Sequence, residues 1–412
     1  MIGTDLPGAP DFEPADPSFV ADPYPVYARL RREAPVAWSP HTGQVLVSRH
    51  ADVDAVLRDR RFGRSYLHVA THAEMGRPSE PPALAPFWSV VRDGMLDTEP
   101  PDHTRLRRLV SRAFTPARVE ALRPQVQLIA RGLVDDLLAA GADGGEVELR
   151  RTIAEPLPLA VISDLLGVPE SDRSLLLPWS HDMCRMYELH PTPDDQRAAV
   201  VAAEEFADYL RALAAERRRR PGDDLVSALT QVVDEGERLT EDELVGTCVL
   251  LLNAGHEATV GVTVNGVATL LQHRELWRAL GEDPALVPSA VEELLRFATP
   301  LQLFSRWALE DADVAGVPVR RGTQVALLFG SANRDEERFA DPEQLDLGRT
   351  PNPHISFGAG IHYCLGAPMA RLELGAVFAE LAARAPGLEL VGEPSYGRGF
   401  IIRELEAVSV TV

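Results

Sequence analysis

Lysine is missing from all 412 residues, so each of the 41 basic residues is an arginine. Against them stand 62 acidic residues, for a formal net charge of −21. Nucleic acid and anionic membrane would both repel such a chain, and neither is expected as a partner. Cysteine is scarce: Cys184, Cys248 and Cys364 lie far apart, with no C-x-x-C pair. That excludes a thiolate-rich zinc site and a disulfide framework, and it suits a reducing cytoplasm. No apolar run approaches the roughly 18–20 residues that span a bilayer. The stretch up to Phe19 is acidic and proline-rich, without the basic and apolar regions of a signal peptide. With no repeat or linker, and 45% apolar residues to fill a core, 1–412 is predicted to be one domain.

Turn and periodicity signals describe a mainly α protein with a small β-rich lobe. Helices are predicted over 25–33, 50–59, 101–114, 119–140, 153–166, 175–188, 194–220, 224–233, 240–273 and 284–297. The longest opens on the capping box Thr240-x-x-Glu243, and its apolar sequence predicts a path through the core. Strands are predicted at 36–39, 44–48, 314–319, 323–328, 388–390 and 400–412. Residues 64–94, with PSEPPALAP at their middle, predict a long irregular segment of a kind that is often functional. The RRRR run before Pro221–Gly222 predicts a helix C-terminus with a solvated face.

Chemistry-bearing residues fall in four places. In Phe357–Arg371 (FGAGIHYCLGAPMAR), Cys364 is bracketed by Gly358, Gly360 and Gly366, so the backbone can turn tightly and approach a flat, bulky partner. A helix predicted from Ala367 places Cys364 beside a helix N-terminus, which lowers a thiol's pKa. A thiolate with no second cysteine nearby suits one axial bond to a haem iron. The plain alternative is a structural cysteine in a glycine-rich turn. Ala254–Thr259 (AGHEAT) sets an acid, Glu257, and an alcohol, Thr259, inside the core helix, and Gly255 leaves room for a ligand at the backbone. His103 and Arg107 are four apart and share a helix face that could hold two carboxylates. Glu293 and Arg296 form an i,i+3 pair, ordinarily a surface salt bridge of little worth.

Together these stretches resemble the motifs of the cytochrome P450 family, in the family's order, from about Pro23 to the C-terminus. Phe357–Gly366 matches F-G-x-G-x-H-x-C-L-G at every fixed position. The resemblance implies the cytochrome P450 fold, a triangular-prism helical bundle around haem b, with Cys364 as the axial thiolate. It implies that His103, Arg107, Arg306 and His362 contact the haem propionates. Phe357, Gly358, Gly366 and Ala254 would line the cofactor, with N–H groups around Leu365 and Gly366 donating to the sulfur. Glu293, Arg296 and Arg349 match a structural E-x-x-R pair and its third member. AGHEAT is similar to the oxygen-binding segment [AG]-G-x-[DE]-T, whose acid and alcohol relay protons. Ala258 stands where the threonine is expected, and Thr259 is one residue late, turned about 100° around the helix. Glu257 is therefore the expected relay residue. Thr259 either acts as the alcohol or bonds back to the preceding turn, and an ordered water or a substrate hydroxyl can replace the group missing at Ala258.

The implied activity is that of a haem-thiolate monooxygenase using O2 and electrons from a separate ferredoxin and its reductase, because no flavin or iron–sulfur domain is fused. Arg108 and Arg112 are candidate contacts for that ferredoxin. Segments 64–94, 175–194, 254–255, 301–304 and 399–401 are expected around a mid-sized natural-product intermediate, with His68, His72, Glu74 and Arg77 as polar fixers. Two other readings stand beside this one. An oxidase on the same scaffold would couple or cyclise its substrate without inserting oxygen. A non-catalytic recruitment module would be expected to have lost Glu257 or Cys364.

Overall fold

The computed structural model describes residues 6–412; residues 1–5, at the start of the acidic proline-rich stretch, lie outside the described residues. Helix Glu241–Gln272 organises the rest. Thr240 Oγ1 accepts from the Glu243 N–H (3.1 Å), and Glu243 Oε2 accepts from the Thr240 N–H (2.8 Å), which closes the predicted capping box. Glu241, Asp242 and Glu243 in the first turn complement the helix dipole. Beyond that turn the helix is mostly apolar and mostly buried, and such a helix must be surrounded. Pro156–Leu166, Arg173–Cys184, Pro193–Arg219 and Ala367–Arg384 pack around it.

The β lobe is a five-stranded sheet ordered Val36–Ser39, Gln44–Val47, Gln324–Leu328, Leu303–Ala308, Phe62–Gly63. Gln44–Val47 runs parallel to Gln324–Leu328, and the other neighbours are antiparallel. Period-two alternation sends Val45, Val47, Val325 and Leu327 to one apolar layer, and Leu46, Ala326 and Leu328 to the other, with Phe12, Tyr27 and Phe400. A smaller sheet joins Val147–Glu148, Ser409–Thr411 and Glu389–Leu390.

Several expectations need correcting. The helix predicted over 119–140 is two, Pro116–Ala121 and Arg123–Gly141. Pro124 has no N–H to offer the Glu120 carbonyl, so the ladder breaks there. Segment 64–94 is not irregular throughout, for Ala85–Val91 is a helix. It crosses the long helix at Gly246, where a Cβ would sit 2.7 Å from the Val90 carbonyl oxygen. Residues 314–319 are not one strand but part of a hairpin, Ala312–Val314 and Val317–Val319, around Ala315 and Gly316, both at positive φ. In the tail only Ser409–Thr411 is a strand. Strand Leu303–Ala308 and helix Arg274–Glu282 were not anticipated. The RRRR run is only partly solvated: Arg217 Nε lies 2.9 Å from Asp224, and Arg218 bonds Glu241 at 2.8 Å.

Beneath the cysteine loop lies a buried ionic knot. Arg296 grips Glu293 bidentately (2.7 and 2.8 Å), Arg349 Nε reaches both Glu293 oxygens at 3.1 Å, and Asn352 adds a bond of 3.0 Å. Remaining guanidinium donors reach the carbonyls of Asn333, Pro342, Gln344 and Ala340. Such satisfaction is what a buried charge requires.

Candidate active site

Residues Phe357–Gly366 form a tight loop before helix Ala367–Arg384. Gly360, at φ +68°, has Leu57 O where a Cβ would lie at 2.3 Å, so this turn admits only glycine. The Cys364 N–H donates to Phe357 O (3.0 Å), while N–H groups of Gly366 and Ala367 donate to the sulfur. The donors are thus Gly366 and Ala367, not Leu365. Burial nonetheless pushes the Cys364 thiol above its ordinary value, outweighing those N–H groups and the Arg107 and Arg371 charges. The lowering expected from the helix terminus is present but overcome; coordination to a metal deprotonates a thiol outright. Phe357 packs between Arg371, whose guanidinium carbon lies 4.6 Å from its ring centre, and the ring of Tyr363. Gly358 has a positive φ and no atom within 4 Å of a built Cβ, whereas at Gly366 that Cβ would lie 3.8 Å from Cys364 Sγ.

Four predicted propionate contacts come together beside this loop. The His103 and His362 rings lie 4.3 Å apart, and Arg107 donates to Tyr363 O (2.7 Å). Arg306 is buried, and among the described residues its side chain bonds only Ser305 O, at 3.0 Å. Burial, with the Arg64 charge, brings its pKa down to about 9 against the opposing Glu99 and Asp97. Burial and the charges of His362 and Arg107 hold His103 down at about 4. Its buried Nε2 has no partner, and neither does that of His362, which lies 3.6 Å from Glu99. A buried guanidinium and an orphaned imidazole nitrogen are costly unless anions meet them. Three residues of this cluster escaped the sequence reading. Arg64 bonds Ser305 O (3.2 Å) and Asp97 (3.1 Å), while Glu99 accepts the Arg64 N–H. Arg64 and Glu99 belong to no motif, and only the fold brings 64, 99 and 306 together.

The middle of the long helix offers a second observation. Ala254 and Ala258, one turn apart, are exposed and Gly255 is part-exposed, although the flanking turns are buried. Such a bare face inside a protein fits a flat partner larger than a side chain. The helix does not open here, and a Cβ at Gly255 would meet Ile162 at an ordinary 3.7 Å, so the room at Gly255 faces helix Pro156–Leu166. Thr259 is buried, and its hydroxyl donates to Gly255 O (3.2 Å). It bonds back to the preceding turn, about 100° around the helix from the Ala254/Ala258 face.

Glu257 points toward helix Arg173–Cys184. Ser180 Oγ donates to its Oε1 (3.1 Å), with His256 Nδ1 at 3.4 Å and His181 Nε2 at 3.6 Å from the same oxygen. Burial raises the carboxyl's pKa, but these imidazoles and the Ser180 hydroxyl bring it below its ordinary value. Ser180 and His181 were read only as pocket wall. No hydrogen bond or ion pair among the described residues links this cluster to the Cys364 loop. Of the expected polar fixers, Glu74 is spent on Thr71 (2.8 and 2.9 Å), and His72 bonds the Tyr66 hydroxyl (2.7 Å). Arg108 and Arg112, whose side chains are still exposed, each pair with the buried Asp234.

A thiol on a glycine-turned loop, a buried guanidinium beside unpartnered imidazoles and a bare face on a core helix define a haem-thiolate protein. The chain belongs to the cytochrome P450 family, whose model matches residues 66–382. It is 40% identical over 400 residues to cytochrome P450 monooxygenase PikC of Streptomyces venezuelae (95% of this chain, 91% of that protein). It is 37% identical to 6-deoxyerythronolide B hydroxylase of Saccharopolyspora erythraea (97% and 98%) and 41% to nocardicin C N-oxygenase of Nocardia uniformis (100% of both). Among solved structures it resembles P450BioI in complex with an acyl carrier protein, with TM-score 0.89 at 35% identity over 96% of this chain and 99% of that one. The protein is accordingly a P450 monooxygenase that uses haem with a cysteine thiolate ligand, O2, a redox partner and a small-molecule substrate. Among the described residues, no helix is long and apolar enough to cross a membrane.

Proposed function

We propose that this chain, acting as one cytoplasmic domain, hydroxylates a mid-sized natural-product intermediate with O2 and electrons from a ferredoxin-type donor. Relatives named for polyketide biosynthesis, mycinamicin IV hydroxylation/epoxidation and vitamin D(3) 25-hydroxylation support that substrate class. The observation that carries the reading is Cys364 in its glycine-turned loop beside the uncompensated Arg306 and His103.

Cys364 is the residue to hold haem iron, and Arg64, His103, Arg107, Arg306 and His362 are the residues to hold its two propionates. Bound there, haem supplies reductive activation of dioxygen, and its thiolate favours O–O cleavage. Phe357 stacks against Arg371 at the start of the Phe357–Gly366 loop. Glu257, ionised and held by Ser180, is the group that takes up and passes on protons. Ala254 and Ala258 leave room for a water or a substrate hydroxyl where an alcohol side chain is absent.

Reduction under carbon monoxide tests the ligand. The strongly red-shifted Soret band of a thiolate complex is expected, and a myoglobin-like band from folded protein would end the reading. Turnover under labelled dioxygen tests the reaction, since hydroxylation adds one labelled oxygen to the product. The engaged Thr259 hydroxyl favours one rival, oxidative coupling or cyclisation without oxygen insertion. That rival predicts loss of two hydrogens and no label.

A further inference from the structure

The cluster around Glu257 holds more donor atoms than one carboxylate needs. His181, His256 and Glu257 each place a nitrogen or carboxylate oxygen within 4.8 Å of the others. His256 is fully buried and, among the described residues, its Nε2 has no partner; its Nδ1, like His181 Nε2, meets only Glu257 Oε1, at 3.4 and 3.6 Å. Core imidazoles are ordinarily hydrogen-bonded. Two imidazoles and a carboxylate are the donor set of a three-ligand zinc site whose fourth position is taken by water.

We propose that His181, His256 and Glu257 form a binding site for a zinc-class divalent cation, bridging helix Arg173–Cys184 to the long helix. Donors around tetrahedral zinc lie about 3.3 Å apart, given bonds of about 2.0–2.1 Å. The two nitrogen-to-carboxylate separations, 3.4 and 3.6 Å, already fit. Only the imidazole pair has to close, by at most roughly 1.5 Å. The His181 side chain is 30% exposed, whereas His256 and Glu257 are buried. Calcium and magnesium are excluded, since they take oxygen ligands and two of the three donors are nitrogens. Facing the cluster are Glu155, Arg150 and Glu404, joined to one another by Arg150's bonds of 2.6 and 2.8 Å to the two carboxylates. Among the described residues, no bond joins that network to Glu257, while Glu404 Oε2 has no partner and burial, with the Glu257 charge, raises the Glu404 carboxyl to about 7.

A metal here would occupy the carboxylate and staple the two helices together. On the reading of Glu257 as proton carrier, it would also lower product formed per reducing equivalent; binding itself does not depend on that reading. The test is calorimetric titration of Zn2+ into the resting, haem-loaded protein, beside His181→Ala and Glu257→Gln variants shown by their carbon-monoxide spectra to be intact. One equivalent should bind, with affinity lowered at least tenfold in each variant, while Mg2+ gives no heat. Zinc binding of unchanged affinity in both variants, or none in the parent protein, would overturn the proposal. Neither outcome touches the haem-ligand assignment, which the spectra settle separately.

Discussion

Glu257 and Ala258 are adjacent, yet they look in different directions, and the chemistry divides between them accordingly. Glu257 is buried against Ser180 and two imidazoles, whereas Ala258 joins Ala254 on the bare face. Glu257→Gln keeps the shape and the Ser180 bond but removes the titrating group. Turnover should fall about 10²-fold, the lower end of what a positioned acid contributes, with the carbon-monoxide spectrum unchanged. Steady-state kinetics beside that spectrum checks this. Ala258→Thr restores the alcohol to the family's position. If a water or substrate hydroxyl already serves there, product formed per reducing equivalent should hardly change; a large gain would show that the missing threonine had been limiting.

Glu188, just past helix Arg173–Cys184, decides how two expected pocket walls are held. Its carboxylate accepts the backbone N–H groups of Phe400 (2.8 Å), Ile401 (3.0 Å) and Ile402 (3.0 Å). Burial raises its pKa, while these three donors pull it down without quite cancelling the burial. Sequence periodicity read 400–412 as one strand because alternating Ile, Leu and Val satisfy a period of two. The first three residues instead spend their donors on a side chain more than two hundred positions away. Glu188→Ala would leave three N–H groups without a partner, at about 1–3 kcal/mol each where they stay dry. Amide exchange of Phe400–Ile402 should accelerate at least about tenfold, well above any change in the β lobe. Uniform acceleration across the chain would instead indicate global destabilisation and count against a local clamp.

For the molecule as a whole, what could be read from sequence is what is encoded within one stretch. The Thr240/Glu243 box, the Cys364 loop and the Glu293–Arg296 pair each lie inside one element and were legible. Arg349 was placed only by resemblance. The approach of Arg64, Glu99 and Arg306 and the Glu188 clamp arise when distant segments meet. No window of sequence displays them. Glu373 belongs to this second group, looking like an ordinary helical glutamate inside Ala367–Arg384. In the fold it is 3% exposed and its Oε2 is unpartnered, and burial pushes its pKa up from 4.5 to about 8. Folded protein therefore keeps a proton that the unfolded chain releases above about pH 4.5. Stability is fully present below that value and is lost as pH rises toward 8, at about 1.4 kcal/mol per pH unit. Denaturant midpoints should accordingly fall between about pH 6 and pH 8 in the parent protein. Glu373→Gln, which is neutral at every pH, should flatten that slope and stabilise the protein most at the alkaline end; an unchanged slope would place the titrating proton on another group.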